Sequence, residues 1–252
     1  MISKIDRVIY AFGVVFLVML LFAIIWSSAT KNSDISNWII ALANVAMAGA
    51  AGAAFMTGKR FLSEYFVKEG YALAIRLVNE CLMELNHKNK LITEANRLCT
   101  YYTQLNGLPA RAANLLTMQA RLAHFRKISR RHHQILDDSE KLTIQMLNYG
   151  IDAVDARKTS LTTMLVSLQL SLRAADELEM YVMSDFANYK NRAVNIGNVS
   201  QPFYLANTVG ALEAMRNITI NHNKMVNAYN EFFGGERHIQ SLFHLKEFSV
   251  EK

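Results

Sequence analysis

The chain has 252 residues, a net charge of +6 and 52% hydrophobic residues, with only two prolines and two cysteines. This composition excludes a disulfide-stapled secreted scaffold and a disordered chain, and leaves room for one sizeable helical domain or two small ones beside any membrane segment. The positive charge is modest and unevenly placed, which favours an anionic surface as partner over a general affinity for polyanions.

Two uncharged apolar stretches, Val8 to Trp26 and Trp38 to Gly58, flank the polar stretch Ser27 to Asn37. The first is too long for a core strand and predicts a transmembrane helix. In the second, Ala and Gly dominate and insert with nearly neutral free energy, but its length suits the hydrocarbon core and Lys59-Arg60 ends it sharply. The reading is an all-α chain with a transmembrane hairpin over residues 1–58, its spans at about 8–28 and 37–58, and a helical domain over 59–252. Cleavage of the first stretch as a signal peptide competes with this, since Lys4 and Arg7 form a basic n-region and Ser27-Ser28-Ala29 resembles a cleavage site. Against it, the apolar run exceeds an ordinary h-region and a second span follows. Lys4, Arg7, Lys59, Arg60 and Lys68 outweigh Lys31 in the loop, so the positive-inside rule predicts a multi-pass membrane protein with both ends and its bulk in the cytoplasm.

Within the second span, Asn44 is the only strongly polar residue, and Ala46, Ala50 and Ala54 form a small-xxx-small series beside Gly49 with Ala53 and Ala48 with Gly52. Such faces let helix backbones approach closely. Two readings stay open: the face packs on the first span, or several hairpins assemble into a homo-oligomer with Asn44 facing its copies or a lumen.

Apolar residues recur at helical spacing through Leu73, Leu77, Cys81, Leu85, Ile92, Ala95, Cys99 and Tyr102, so the second span is expected to run on into a long amphipathic helix. Gly58, Gly70 and the polar run 86–90 are its candidate breaks, and Asn106-Gly107-Leu108-Pro109 is a clear stop. Cys81 and Cys99 read as reduced core thiols. A helix over Ala110 to Leu136 carries the densest charge: Arg111, Arg121, Arg126, Lys127, Arg130, Arg131, His132 and His133. It suits phosphate, of nucleic acid or lipid, or else it is a solvated face paired with acids such as Asp137, Asp138 and Glu140. Helical pattern resumes at Asp137, an N-cap candidate, with Gly150 a separator. A heptad-like seam follows in Leu161, Leu165, Leu168, Leu172, Ala175, Val182, Phe186 and Tyr189. Its partner is the Leu73 to Tyr102 helix or a second subunit. A further helix is expected over Phe203 to Phe233, then a docking helix in the tail Arg237 to Lys252, and no sheet.

No catalytic or cofactor-binding signature is present. Glu84 and His87 form a single ExxH where a di-iron bundle needs two, and His132-His133 and the pair His238 and His244 read as ordinary exposed or interface histidines. The chain is therefore read as a non-enzyme without cofactor or metal.

Two N-terminal spans, a minimal external loop, a helical cytoplasmic domain and no enzyme motif resemble the two-transmembrane effectors of bacterial anti-phage defence systems, such as those encoded beside retrons. The likeness covers the whole chain in layout, without a diagnostic motif. It implies a toxin of abortive infection, held inactive by a partner complex until its release permeabilises or depolarises the inner membrane. In a retron that complex is the reverse transcriptase with its RNA-DNA hybrid, and the basic helix suits contact with such a nucleoprotein. The rival reading is a membrane-anchored helical scaffold or signalling adaptor without pore activity. The expected partners are thus the lipid bilayer, a cytoplasmic protein or nucleoprotein, and further copies of the chain.

Overall fold

The computed structural model describes residues 15, 16, 18, 19, 22, 26, 35–86, 88–195, 202–234 and 238–245. These are mostly helical, as expected of an all-α chain. They divide into two compact units, Met1–Phe66 and Val67–Lys252.

Helix α1, Ile35–Arg76, runs through Gly58 and Gly70 without a break, and a π-helical turn, Leu77–Cys81, and a 3-10 turn, Leu82–Leu85, extend it. The adjacent pairs Leu77-Val78 and Cys81-Leu82 are all buried where the winding changes from α to π to 3-10. The expected break at the polar run is real and has a side-chain cause. Asn86 donates to the Met83 carbonyl and accepts from the Lys88 N–H, and Asn89 caps the next helix by accepting from the Leu91 N–H at 2.8 Å.

The membrane assignment is corrected here. Among the described residues no helix is long and apolar enough to cross a membrane, which overturns the multi-pass inner-membrane localisation and leaves the hairpin without support. In the second stretch the physical reason is composition: Ala and Gly add little insertion free energy and Asn44 opposes it. The first stretch falls mostly outside the described residues; Val15, Phe16, Val18, Met19, Phe22 and Trp26 within it are helical.

Val67–Lys252 is built on four helices: α2, Lys90–Gln104; α3, Ala112–Asn148; α4, Asp155–Asn195; and α5, Thr208–Phe233. The α4 seam is buried at Leu161, Leu168, Leu172, Ala175, Val182 and Tyr189. It packs chiefly on α5 and next on α3, so neither the Leu73 to Tyr102 helix nor a second subunit is its main partner. The expected helix start at Asp137 is also corrected, because α3 continues to Asn148. Asp137 and Asp138 are exposed while Ile135, Leu136, Ser139, Leu142 and Met146 carry the buried stripe onward, and no Gly or Pro interrupts it. The helix stops at Gly150, whose φ of 75° suits a residue without Cβ.

Two short antiparallel ladders correct the expectation of no sheet. Strand β1, Leu108–Pro109, pairs with β3, Pro202–Phe203, and β2, Ile151–Ala153, pairs with β4, Phe243–Leu245. Two or three residues are too few to display period-two alternation in sequence. The tail docks as expected, but through the single-turn helix α6, Ile239–Leu242, and then β4, with Leu242 and Phe243 fully buried.

One buried carboxylate ties three helices together. Asp185 of α4 is 1% exposed and accepts hydrogen bonds from the Tyr102 hydroxyl of α2, from the Asn207 N–H at 2.9 Å and from the Asn207 side-chain amide at 3.1 Å. Burial, and then the hydrogen bond to Asp185, push the Tyr102 hydroxyl far above its ordinary pKa. Asn207 is the N-cap residue of α5, so this cluster fixes where α5 begins.

Asp185→Ala strands a buried hydroxyl and the N-cap amides, and is expected to destabilise the chain by about 3 kcal/mol in urea unfolding, against about 1 kcal/mol for Tyr102→Phe. Equal, negligible costs would refute the pinning role. At Gly210 a Cβ would lie 2.8 Å from Tyr181 Cζ. Overpacking of about 1–3 kcal/mol outweighs a helix-propensity gain of up to about 1 kcal/mol, so Gly210→Ala is expected to lower the melting temperature.

Candidate functional site

Helix α3 brings the sequence-predicted basic residues onto two sides of itself. Their order along the chain conceals this separation. His132 points inward and is 5% exposed, while Arg126, Lys127, Arg130 and Arg131 line a shallow depression of about 590 Å³ that runs from Ala123 to Gln134. These positions follow i, i+3, i+4 spacing, which places them along one helix face.

Part of this charge is engaged by carboxylates from other parts of the fold. Arg126 Nε donates to Glu179 Oε1 of α4 at 2.6 Å, Arg131 Nη2 to Glu84 Oε1 at 2.8 Å, and His133 Nε2 lies 3.2 Å from Asp176 Oδ1. The hydrogen bond to Glu84 raises the Arg131 pKa. Arg121 stacks over the Tyr101 ring at 4.8 Å. The expectation of local pairing with Asp137, Asp138 and Glu140 is thus replaced by cross-helix pairing. Lys127 and Arg130 are exposed and make no ion pair with a carboxylate among the described residues.

Beside this face lies a second depression of about 540 Å³ on α4, lined by Asp176, Glu179, Met180, Met183 and Ser184. The Arg126–Glu179 bridge separates the two, and the Arg126 guanidinium also touches the Met183 sulfur. Met180 is 56% exposed and Met183 41%. Nothing in the sequence singled out these methionines, because their spacing continues the ordinary pattern of α4.

The small-residue candidates fall on different faces of α1. Ala46, Gly49 and Ala53 are half-buried at i, i+3 and i+7, whereas Asn44, Ala50 and Gly52 are exposed. Ile39, Ile40, Val45, Met47, Phe55 and Met56 are exposed on the same helix. In the ExxH pair, Glu84 is occupied by Arg131, and His87 lies outside the described residues. Cys81 and Cys99 are buried free thiols whose pKa values burial raises.

His132 corrects the reading of exposed or interface histidines. Its Nδ1–H donates to the Ile128 carbonyl at 2.9 Å, and burial lowers its pKa. His222 of α5 is likewise buried and lowered, by burial first and then by the nearby His132. The stripe that buries His132 runs Phe125, Ser129, His132, Ile135, and reading it as core was the signal available.

Both imidazoles fold in the neutral form, so below the ordinary value of 6.5 the unfolded chain binds more protons than the folded one. Their contribution to stability is complete above that value and falls as the pH drops through the lowered folded-state values. Thermal melts from pH 7.5 to 5 are expected to show a falling midpoint, with a shallower slope for His132→Asn/His222→Asn whatever its absolute stability. An unchanged slope would remove these histidines from the account.

No protein family model, characterised protein or solved structure matches this chain.

Proposed function

We propose that this chain is a non-catalytic helical adaptor that holds an anionic partner on the basic face of α3. The observation that carries the reading is the pair Lys127 and Arg130. They are exposed, without carboxylate partners among the described residues, and spaced one helical turn apart along a concave face. The flanking arginines are positioned by Glu179 and Glu84, so their guanidinium groups reach the same face at little further cost in side-chain entropy. This is the scaffold reading without its membrane anchor. A partner-controlled effector would share the docking step, but its membrane-permeabilising step needs spans, and no helix among the described residues is long and apolar enough to be one.

The test is charge reversal against a matched control. Lys127→Glu/Arg130→Glu is expected to weaken binding to a short Glu-rich peptide about tenfold more than Lys90→Glu/Lys141→Glu, which changes net charge equally elsewhere on the surface. Equal losses, measured by titration at fixed ionic strength, would sink the reading.

A further inference from the structure

The charge and surface chemistry around α3 favour one class of anionic partner. A nucleic acid gains affinity by neutralising many phosphates at once. On this face Glu84, Asp176 and Glu179 stand beside the cations, two of the four arginine and lysine side chains are already held, and Lys127 and Arg130 make no ion pair among the described residues. The four cations and three carboxylates leave the face with a net of one positive charge, too little to neutralise a run of phosphates. A short segment with a few carboxylates on one edge matches the count.

The neighbouring depression supplies what a nucleic acid does not need. Met180 and Met183 are exposed and one helical turn apart, and Glu179 of their depression is bridged to Arg126 of the basic face. Thioether side chains adapt their shape to apolar partners and recur on surfaces that bind amphipathic helices. Lys127 and Arg130 have the same one-turn spacing, so two parallel rows, one cationic and one apolar, run along adjacent helices. The depression runs about 16 Å along α3 from Ala123 to Gln134, with the basic residues in its middle, which suits roughly three turns of a helix laid along it.

We infer that the α3 and α4 surface docks an acidic amphipathic helix of a protein partner, its carboxylates over Lys127 and Arg130 and its apolar edge on Met180 and Met183. The inference rests on the docking reading proposed above and adds the partner's chemistry. Arg126 then stands between the two rows: its charge is held by Glu179 and its guanidinium touches the Met183 sulfur.

The test selects a phage-displayed helical peptide library of about five turns against the full chain, with a random single-stranded oligonucleotide pool selected in parallel. The expected enriched peptides place Asp or Glu at i, i+3 or i+4 beside a row of Leu, Ile or Met. Each should bind about tenfold more weakly to Lys127→Glu/Arg130→Glu and to Met180→Gln/Met183→Gln, all four positions being exposed so that the variants keep their thermal melts. Peptides without this pattern, no enrichment, or full affinity for the methionine variant overturn the inference. Oligonucleotides that bind more tightly than any peptide and depend on Lys127 and Arg130 overturn it too, but leave the docking reading intact. Loss of neither ligand with Lys127→Glu/Arg130→Glu would remove that reading as well.

Discussion

Burial of the apolar stripe along α4 is the constraint on which the rest of Val67–Lys252 depends. Leu168, Leu172, Ala175, Leu178 and Val182 are at most 1% exposed, and a helix of that length exposes such a stripe in water unless others cover it. At about 25 cal/mol per Å² of apolar surface, each Leu contributes on the order of 2 kcal/mol, which no surface ion pair approaches. α5 and α3 provide the cover, and the short ladders and the tail then fit the ends that this arrangement leaves.

Packing along a stripe fixes the faces of helices better than their axial register. Asp185 supplies that register at one end, since a carboxylate withdrawn from water must find donors and its position selects Tyr102 and Asn207. At the other end Arg157 of α4 donates to the Phe232 and Gly234 carbonyls at the C-terminus of α5. Polar contacts at both ends of the α4–α5 pair therefore set where the two helices begin and end relative to one another.

The surface chemistry follows from the same arrangement. With α4 packed on α3, Glu179 and Asp176 come within reach of Arg126 and His133, while the 3-10 turn after α1 brings Glu84 to Arg131. What was a run of positive charge in sequence becomes a small cationic row with carboxylate borders.

Sequence by itself determined the helices, because periodic apolar positions such as Leu161 to Tyr189 report local geometry, and it determined the stops at Asn86–Asn89, Gly107 and Gly150, where side-chain caps or positive φ act within a few residues. It also located the basic helix. The tertiary structure decided which basic residues remain unpaired, since Glu84, Asp176 and Glu179 lie between 43 and 53 residues away in the chain. It decided as well that His132 is core, that Asp137 starts nothing, and that two- and three-residue ladders form between distant loops. Charge pairing, burial and ladder contacts depend on through-space distance, which a one-dimensional pattern does not encode; an uncharged run of Ala and Gly likewise left the membrane question to more than its length.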